Sequence, residues 1–227
     1  RFGVFERRGG RAPEPGDLDQ LEWIGRFIGR IHLAGQARVF DHRPRLGSET
    51  FGRPARAAVL DSPLLPVELQ SRYDVISGQL LDAVDAVFTE VRKPPIRLHG
   101  DCHHGNILWT DTGPHFVDLD DCRSGPSAQD LWMLLNGDRN EQMMQLDALL
   151  EGYTVFRDFD AAELRLIEPL RSLRLIHYTG WVAKRWDDPA FPNAFPWFDS
   201  THYWTQHVID LQQQLDALDE PPLRRFA

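Results

Sequence analysis

The sequence predicts an α+β fold that is mostly helical and carries one small β-hairpin, on which we expect the functional residues to lie. Apolar residues recur at helical spacing both before and after the middle of the chain. Residues 95–121 instead contain short β-prone runs separated by turn residues. With 227 residues, 42% of them hydrophobic, the chain can bury a sizeable core.

The chain begins with a short strand-like run at Phe2–Phe5, followed by an Arg- and Pro-rich linker. We therefore predict a strand and linker over residues 1–16 and one main lobe over residues 17–227. A first helix begins near Asp17, and Gly35 can end it. Its apolar stripe repeats every three or four residues and consists of Leu21, Ile24, Phe27, Ile28 and Ile31.

Residues 36–68 are rich in Pro and Arg and show no stable period, so they predict a long irregular loop. Residues 69–91 return to a helical pattern. Helices are expected again from Asp130 onwards. The last of them has an apolar stripe that consists of Trp204, Val208, Leu211, Leu215 and Leu218.

Two β-prone runs, Ile107–Trp109 and Phe116–Val117, flank the turn sequence Asp-Thr-Gly-Pro at 111–114. They are expected to pair as a hairpin whose turn is centred between the Thr and the Gly.

The expected register brings functional groups together at the open end of this hairpin. It places Asn106 and Ile107 opposite Asp118 and Leu119, so an amide oxygen and a carboxylate converge on one point. Such hard oxygen ligands suit Mg²⁺. Asp101 lies five residues before Asn106, on a Gly-containing loop from which its carboxylate can face a metal-bound phosphate.

This arrangement matches the needs of phosphoryl transfer. One Asp orients the incoming hydroxyl and accepts its proton, while an Asn and a second Asp hold Mg²⁺ on the phosphates of ATP. The protein kinase catalytic loop spaces its Asp and Asn by the same five residues. The alternative is a surface hairpin with ordinary capping acids.

Several segments carry a resemblance to known families. His99-Gly100-Asp101 with Asn106 resembles the signature of the aminoglycoside phosphotransferase and choline kinase superfamily. More narrowly, the chain resembles the stress response kinase A family from Phe2 to the Trp204 helix. The segments that carry this resemblance are Leu-His-Gly-Asp-Cys-His at 98–103, Val-Asp-Leu-Asp-Asp at 117–121, Gln-Asp-Leu-Trp-Met-Leu-Leu at 129–135 and Arg-Trp-Asp-Asp-Pro-Ala-Phe-Pro at 185–192.

The resemblance implies the protein-kinase-like C-terminal lobe (C-lobe) of a cytoplasmic Ser/Thr protein kinase that uses ATP and Mg²⁺ and acts on protein substrates. It implies that Asp101 is the proton acceptor and that Asn106 and Asp118 bind the metal, with Asp118 also counted as catalytic. By the same resemblance residues 1–16 contain the hinge strand. The nucleotide contacts expected there are Val4, Phe5 and Glu6.

Other polar residues near the motif are expected to support it. His99 is expected to brace the loop backbone, and Asp130 either anchors the catalytic loop or caps its helix. His103 either contacts the phosphates of ATP or is a solvated loop histidine. Asp120 and Asp121 either surround the metal ligands or cap the next turn.

A kinase of this type also needs a strand Lys and a Gly-rich loop to hold the phosphates of ATP. The only lysines, Lys93 and Lys184, do not follow a suitable strand. We therefore expect that the N-terminal lobe (N-lobe) is absent from this chain and acts in cis or in trans. The chain alone is expected to turn over ATP poorly.

Three alternatives remain open. The acceptor is either a protein Ser/Thr or a small alcohol such as choline, homoserine or an aminoglycoside, because loops select it. The chain is otherwise a non-catalytic binding module. A zinc site built from His99, Cys102, His103 and His104 is a further alternative, but it leaves the Asn and the second Asp without a role.

Composition narrows the partners and the location. The net charge of −9 argues against nucleic acid, which is held by clustered Lys and Arg. No apolar run approaches the roughly 18 residues that span a bilayer, so no membrane partner is expected. Cys102 and Cys122 do not form a disulfide framework and suit a reducing cytoplasm as free thiols. The aromatic-rich run 181–204 is either core or a docking surface.

Overall fold

The computed structural model describes residue 7 and residues 9–225, and these form two compact units. Within the described chain, the first unit is built from residue 7 and segments 9–45, 93–164 and 223–225. The second unit comprises Leu46–Arg92 and Arg165–Pro222. The division into residues 1–16 and 17–227 stays a prediction. Within the described residues, no helix is both long and apolar enough to cross a membrane.

The first unit contains helices and four short strands. They are α1 (Leu18–Gly35), β1 (Ile96–Leu98), β2 (Ile107–Thr110), β3 (Gly113–Phe116), β4 (Arg123–Gly125), α4 (Gln129–Trp132) and α5 (Arg139–Thr154). The strands form two antiparallel pairs, β2 with β3 and β1 with β4. The hairpin was predicted from the sequence, whereas the β1–β4 pair was not.

Helix α1 packs closely against α5 because glycines line their contact. A Cβ atom on Gly25 would lie 2.0 Å from the carbonyl oxygen of Leu149, and one on Gly152 would lie 1.9 Å from that of Glu22. The Asp17 side chain caps the start of α1 by accepting from the Gln20 backbone N–H at 3.0 Å. This helix was predicted correctly, including its end at Gly35.

The hairpin forms with a different register from the predicted one. Ile107 pairs with Phe116 and Thr110 with Gly113, so the turn consists of residues 111–112 and is centred one residue earlier than expected. Thr110 closes the turn, because its hydroxyl donates to the Gly113 carbonyl at 2.8 Å. Gly113 therefore starts β3, with a φ of 107° that favours glycine.

The second unit is entirely helical within the described residues. After a π-helical turn at Ser48–Gly52 it contains α2 (Arg53–Leu60), α3 (Val67–Glu90), α6 (Ile167–Ala183), α7 (Ala190–Ala194) and α8 (Thr201–Ala217). Helix α3 and the late helix α8 agree with the predicted helical segments. The run 181–204 is mixed in burial: Phe198 and Trp204 are fully buried, whereas Trp197 is 41% exposed.

The prediction of an irregular loop over residues 36–68 was wrong. Helix α2 lies inside this range, but it buries only the short stripe Ala55 and Val59. Gly180 of α6 permits the close packing of α2 on α6, since a Cβ atom on Gly180 would lie 2.5 Å from the Ala55 carbonyl oxygen. A two-residue stripe is too short to give a helical period in the sequence.

Candidate active site

The loop 101–106 holds the predicted base and the first predicted metal ligand together. The Nδ2 atom of Asn106 donates to the backbone carbonyl of Asp101 at 2.9 Å and lies 3.4 Å from its Oδ2 atom. Asn106 is buried, and the side chain of Asp101 is only 13% exposed. The five-residue spacing therefore corresponds to direct contact between the two residues.

A sharp backbone turn at Gly100 leads into this loop. Gly100 has a φ of 88°, and a Cβ atom there would lie 2.3 Å from the carbonyl oxygen of Asp121. Only glycine fits both the left-handed conformation and the close approach of the segment after Asp118. The carbonyl of Gly100 accepts from Nε2 of Gln129 at 3.0 Å.

The buried side chain of Asp130 anchors the turn at Gly100. Its carboxylate accepts from the backbone N–H groups of His99 at 2.7 Å and Gly100 at 2.8 Å. It is almost completely buried at the start of α4. Burial alone would raise the pKa of Asp130, but the hydrogen bonds from His32 and Gly100 outweigh burial and hold this pKa below its ordinary value.

His99 links the loop 101–106 to the segment that bears Asp118. Its Nε2 atom donates to the backbone carbonyl of Val117 at 2.8 Å, and the side chain is only 2% exposed. The next backbone group of the hairpin, the N–H of Val117, donates to the carbonyl of Asn106 at 3.0 Å. His99 thus acts as a brace, and it holds Val117 beside the loop 101–106.

Asp118 follows directly after Val117 and is exposed. The observed register places Val117, rather than Asp118, opposite Asn106. Asp118 has a φ of 59°, the only positive φ of a residue other than glycine in the described part of the chain. Such a conformation is uncommon outside glycine and is found at functional sites more often than elsewhere.

A buried chain of hydrogen bonds that supports Asp130 was not predicted from the sequence. On α1, His32 lies with Nε2 2.9 Å from Oδ2 of Asp130 and with Nδ1 3.0 Å from the hydroxyl of Tyr153. Arg157 donates to the same hydroxyl at 2.6 Å. Burial raises the pKa of Tyr153 to about 12, so it stays a neutral donor to His32.

One signal in the sequence indicates His32. Positions 21, 25, 28 and 32 share the buried stripe of α1, and His32 is 0% exposed there. A histidine on an otherwise apolar stripe must find buried partners.

A second residue that was not predicted from the sequence is Glu163. Its buried carboxylate accepts from the Ser127 hydroxyl at 2.7 Å and the Ala128 N–H at 3.0 Å, and it thereby fixes the chain just before Asp130.

The neighbouring histidines lie at the loop surface. Nε2 of His103 lies 3.5 Å from Oδ2 of Asp101, while its Nδ1 accepts from the Gly105 N–H at 3.0 Å. The His103 side chain is 39% exposed. His104 is half-buried, and burial together with the charge of His103 lowers the pKa of His104. Among the described residues, no three His, Cys, Asp or Glu side chains are grouped to hold a metal ion.

The remaining candidates take the following places. Asp121 binds Arg123 through an Oδ1 contact of 2.5 Å, and Asp120 accepts from Arg43 through its backbone carbonyl. Burial raises the pKa of the Cys102 thiol well above its ordinary value. The predicted nucleotide contacts Val4, Phe5 and Glu6 lie outside the described residues.

The sequence matches a family of known enzymes. A family model described as "Phosphotransferase enzyme family" matches residues 1–167. The chain is 47% identical over 223 residues to stress response kinase A of Escherichia coli (strain K12), with 98% of this chain and 67% of that protein covered. It is 45% identical over 223 residues, with the same coverage, to the Serine/threonine protein kinase RdoA of Salmonella typhimurium (strain LT2). The chain thus spans about two thirds of the length of these relatives.

Solved structures share the fold. An amicoumacin kinase, hAmiN, in complex with AMP-PNP, Ca²⁺ and Ami, superposes with a TM-score of 0.69 at 16% identity, covering 98% of this chain and 66% of that one. A microcompartment-associated aminopropanol kinase gives a TM-score of 0.60 at 18% identity and covers 93% of this chain and 65% of its own. At such low identity the similarity establishes the fold alone.

Proposed function

The chain belongs to the phosphotransferase enzyme family and, within it, to the stress response kinase A family, and we propose that it carries the catalytic residues of an ATP-dependent protein kinase. The observation that supports this most directly is the contact between Asp101 and Asn106 on a loop pinned by Asp130. A carboxylate and an amide fixed side by side suit a base beside a metal-bound phosphate. The acceptor proposed is a Ser or Thr hydroxyl of a protein.

In the proposed reaction the hydroxyl oxygen of the acceptor bonds to the γ-phosphorus of ATP. The bond from that phosphorus to the bridging oxygen breaks, and ADP leaves with the electron pair. The carboxylate of Asp101 orients the hydroxyl and takes its proton. The anchoring bonds of Asp130 and the brace of His99 keep that carboxylate in place, so positioning is supplied before the acceptor arrives.

Mg²⁺ fits the donor set of this chain. Because Nδ2 of Asn106 donates to the carbonyl of Asp101, its Oδ1 is the end of the amide that can bind a cation. The exposed carboxylate of Asp118 follows Val117, which pairs with Asn106 through the backbone. Oxygen donors of this kind are those that Mg²⁺ prefers. When bound, the ion would neutralise charge on the β- and γ-phosphates of ATP.

The Lys that holds the phosphates in kinases has no clear counterpart here. Lys93 pairs with the carboxylate of Asp160, and Lys184 caps the end of α6 in the second unit. We propose that an N-lobe, in cis or in trans, supplies this contact.

The preference for a protein acceptor rests on relatives at 45–47% identity, two of which bear the names of a stress response kinase and a Ser/Thr protein kinase. The kinases of small molecules share only the fold, at 16% and 18% identity. A small alcohol as acceptor is the second candidate, and the acceptor has to be measured.

The test compares acceptors in the protein as its gene encodes it. With γ-labelled ATP and Mg²⁺, we expect label on Ser or Thr of the protein itself and of an added unstructured protein such as dephosphorylated casein. Label transfer should be lost in Asp101→Asn and kept in His115→Gln, a control at an exposed position of β3. A kcat/KM for choline, homoserine or an aminoglycoside far above that for protein would assign the enzyme to small alcohols instead.

A further inference from the structure

A cavity of about 460 Å³ lies at the tip of the β2–β3 hairpin, within the first unit. It is lined by Arg11, Trp23 and Trp109 together with residues 110–113, which are the turn and the two strand residues that flank it. Its volume is in the range of roughly 300–1,000 Å³ that is usual for ligand sites. None of these residues takes part in the proposed phosphoryl transfer.

The walls of the cavity come from three separate segments of the chain, two of which are joined by backbone hydrogen bonds. Arg11 pairs with Trp109 through two backbone hydrogen bonds, of 3.1 Å and 2.6 Å. Gly10 permits this approach, because a Cβ atom there would lie 2.8 Å from Cβ of Leu108. Trp23 reaches the tip from α1, with its ring 3.5 Å from where a Cβ atom of Gly113 would be. The cavity is therefore built on paired backbone and a helix.

The lining combines exposed indole surface with opposite charges. Trp23 is 46% exposed, although the guanidinium of Arg26 lies over its ring at 5.6 Å from the ring centre, and the side chain of Arg11 is 70% exposed. The ion pair of Arg11 with Glu14 spans 3.4 Å at the surface, where such pairs contribute little, so Arg11 can change partner. Asp111 supplies a carboxylate on the same lining. Trp and Arg are the residues most enriched at the energetic centres of interfaces.

We propose that this cleft docks an extended segment of the acceptor protein, and this inference rests on the proposed function. A Pro or aromatic ring of the segment stacks on Trp23 and Trp109, an acidic side chain pairs with Arg11, and a basic one pairs with Asp111. Extended proline-containing segments suit aromatic grooves because they lose little entropy on binding. The open, largely exposed lining favours a segment that passes through over a small enclosed molecule.

The docking cleft lies at the tip of the β2–β3 hairpin, whereas the reacting hydroxyl would lie near Asn106 at the other end of the hairpin. From Thr110 to Asn106 the chain advances four residues, or about 13 Å at 3.3 Å per residue. An extended acceptor segment advances by a similar amount per residue. The phosphorylated Ser or Thr must therefore lie at least about four residues from the docked ring.

The binding test uses the capped peptide acetyl-Glu-Pro-Phe-Pro-Lys-amide as probe, titrated without ATP into the protein as its gene encodes it. We expect saturable binding that Trp23→Ala weakens about tenfold or more. Leu33→Ala is the matched control, since Leu33 is 45% exposed on the same helix, and it should bind as the wild type does. Arg11→Glu should weaken binding, and a probe with Lys in place of Glu should recover it.

Several results would overturn the proposal. They are the absence of saturable binding, equal affinity in the Trp23→Ala and Leu33→Ala variants, no recovery with the exchanged charge, and binding of free phenylalanine as tight as that of the peptide. Circular dichroism melts of the variants show whether each remains folded.

A phosphorylation test separates this inference from the proposed function. Two peptides carry the probe sequence followed by a Ser. In one the Ser follows the Lys directly and lies three residues from the Phe, and in the other a spacer of eight residues separates the Lys from the Ser. The longer peptide should have a KM at least tenfold lower, and Trp23→Ala should remove that difference. Equal KM values with normal phosphorylation would refute the docking site alone. Peptide binding without phosphorylation of any protein or peptide would refute the proposed function and leave the docking cleft as a peptide site.

Discussion

The Nε2 atom of His32 lies 2.9 Å from Oδ2 of Asp130, and both side chains are at most 1% exposed. The same carboxylate oxygen accepts the backbone N–H of His99, two residues before the proposed base. Helix α1 is therefore coupled through one buried carboxylate to the loop that bears Asp101. Neither hydrogen bond involves the Asp101 side chain. His32 is therefore expected to act on the reaction only through the position of the loop 101–106.

Replacing His32 with Phe should lower both stability and turnover. The substitution removes one donor to a buried carboxylate, which costs about 1–3 kcal/mol of unfolding free energy. We expect kcat to fall while the affinity for Mg·ATP stays close to that of the wild type, because no ligand contact is lost. His32→Gln, which can still donate to Asp130, should recover part of kcat.

Denaturant unfolding, nucleotide titration and steady-state kinetics together measure this effect. The exposed His115 of β3 is the control, and His115→Phe should leave all three quantities unchanged. Equal losses of kcat in the Gln and Phe variants at position 32 would show that the hydrogen bond to Asp130 does not position the loop.

Gly100 and Gly78 should respond in opposite directions to the same substitution. Gly100→Ala forces a methyl group to within 2.3 Å of a backbone oxygen at a φ of 88°, so we expect a loss of about 2–4 kcal/mol and little remaining activity. Gly78 lies inside α3, where a Cβ atom meets only the flexible end of Arg56 at 3.5 Å. Gly78→Ala should therefore stabilise by up to about 1 kcal/mol. Thermal unfolding of both variants measures the two changes in stability. A Gly100→Ala variant as stable as the wild type would contradict the inference that the turn at Gly100 requires glycine.

The sequence predicted the hairpin but not its register, and the reason is local. A Gly next to a Pro suggested a turn centred near Gly113, yet the hydroxyl of Thr110 closes a two-residue turn before it. The resulting shift moves Asp118 beyond the last paired residue. Side-chain hydrogen bonds of this kind compete with turn propensities and cannot be read from residue types alone.

The loop 101–106 could be proposed as a site from the sequence because its candidate residues lie within six consecutive positions. Its supports were harder to find, because His32 is 98 residues away from Asp130 in the chain. No local pattern indicates such a contact. Its only trace is a histidine on the apolar stripe of α1, where burial requires a polar partner.

The buried His207 of α8 should make stability depend on pH. Its ring stacks on Tyr203 and lies 5.9 Å from Tyr73, and it is 4% exposed. Burial lowers the pKa of His207 to about 4, although the charge of Asp210 opposes this shift. Between pH 6.5 and about 4 the unfolded chain binds the proton and the folded protein does not.

The free energy of unfolding should therefore fall as the pH falls through this window, by up to about 1.4 kcal/mol per pH unit. Denaturant unfolding between pH 4.5 and 7 measures the slope, and His207→Phe should flatten it. His202→Gln, at an exposed position of the same helix, is the control and should keep the wild-type slope. An unchanged slope in His207→Phe would assign the pH dependence to other groups.

The two carboxylates of the proposed site should give different phenotypes in the protein as its gene encodes it. Asp101 is expected to act mainly in the transition state, so Asp101→Asn should lower kcat by about 10² to 10⁴ and leave the affinity for Mg·ATP nearly intact. Asn106 can still donate to the backbone carbonyl of residue 101 in this variant, so the loop should keep its shape.

Asp118 is expected to hold the metal ion on the phosphates, so Asp118→Asn should weaken both the Mg²⁺ dependence and the binding of nucleotide as well as turnover. Asn106→Ala should do so more mildly, because the amide is a neutral ligand, although it also removes the contact with the Asp101 carbonyl.

Asp111→Asn, at the exposed turn of the same hairpin, is the control for a general change of charge and should bind Mg·ATP normally. Calorimetric titration of Mg·ATP beside steady-state kinetics distinguishes the roles. If Asp101→Asn abolishes nucleotide binding while Asp118→Asn binds normally, the two roles are reversed, since a base that contacts only the acceptor hydroxyl cannot be needed to bind the nucleotide.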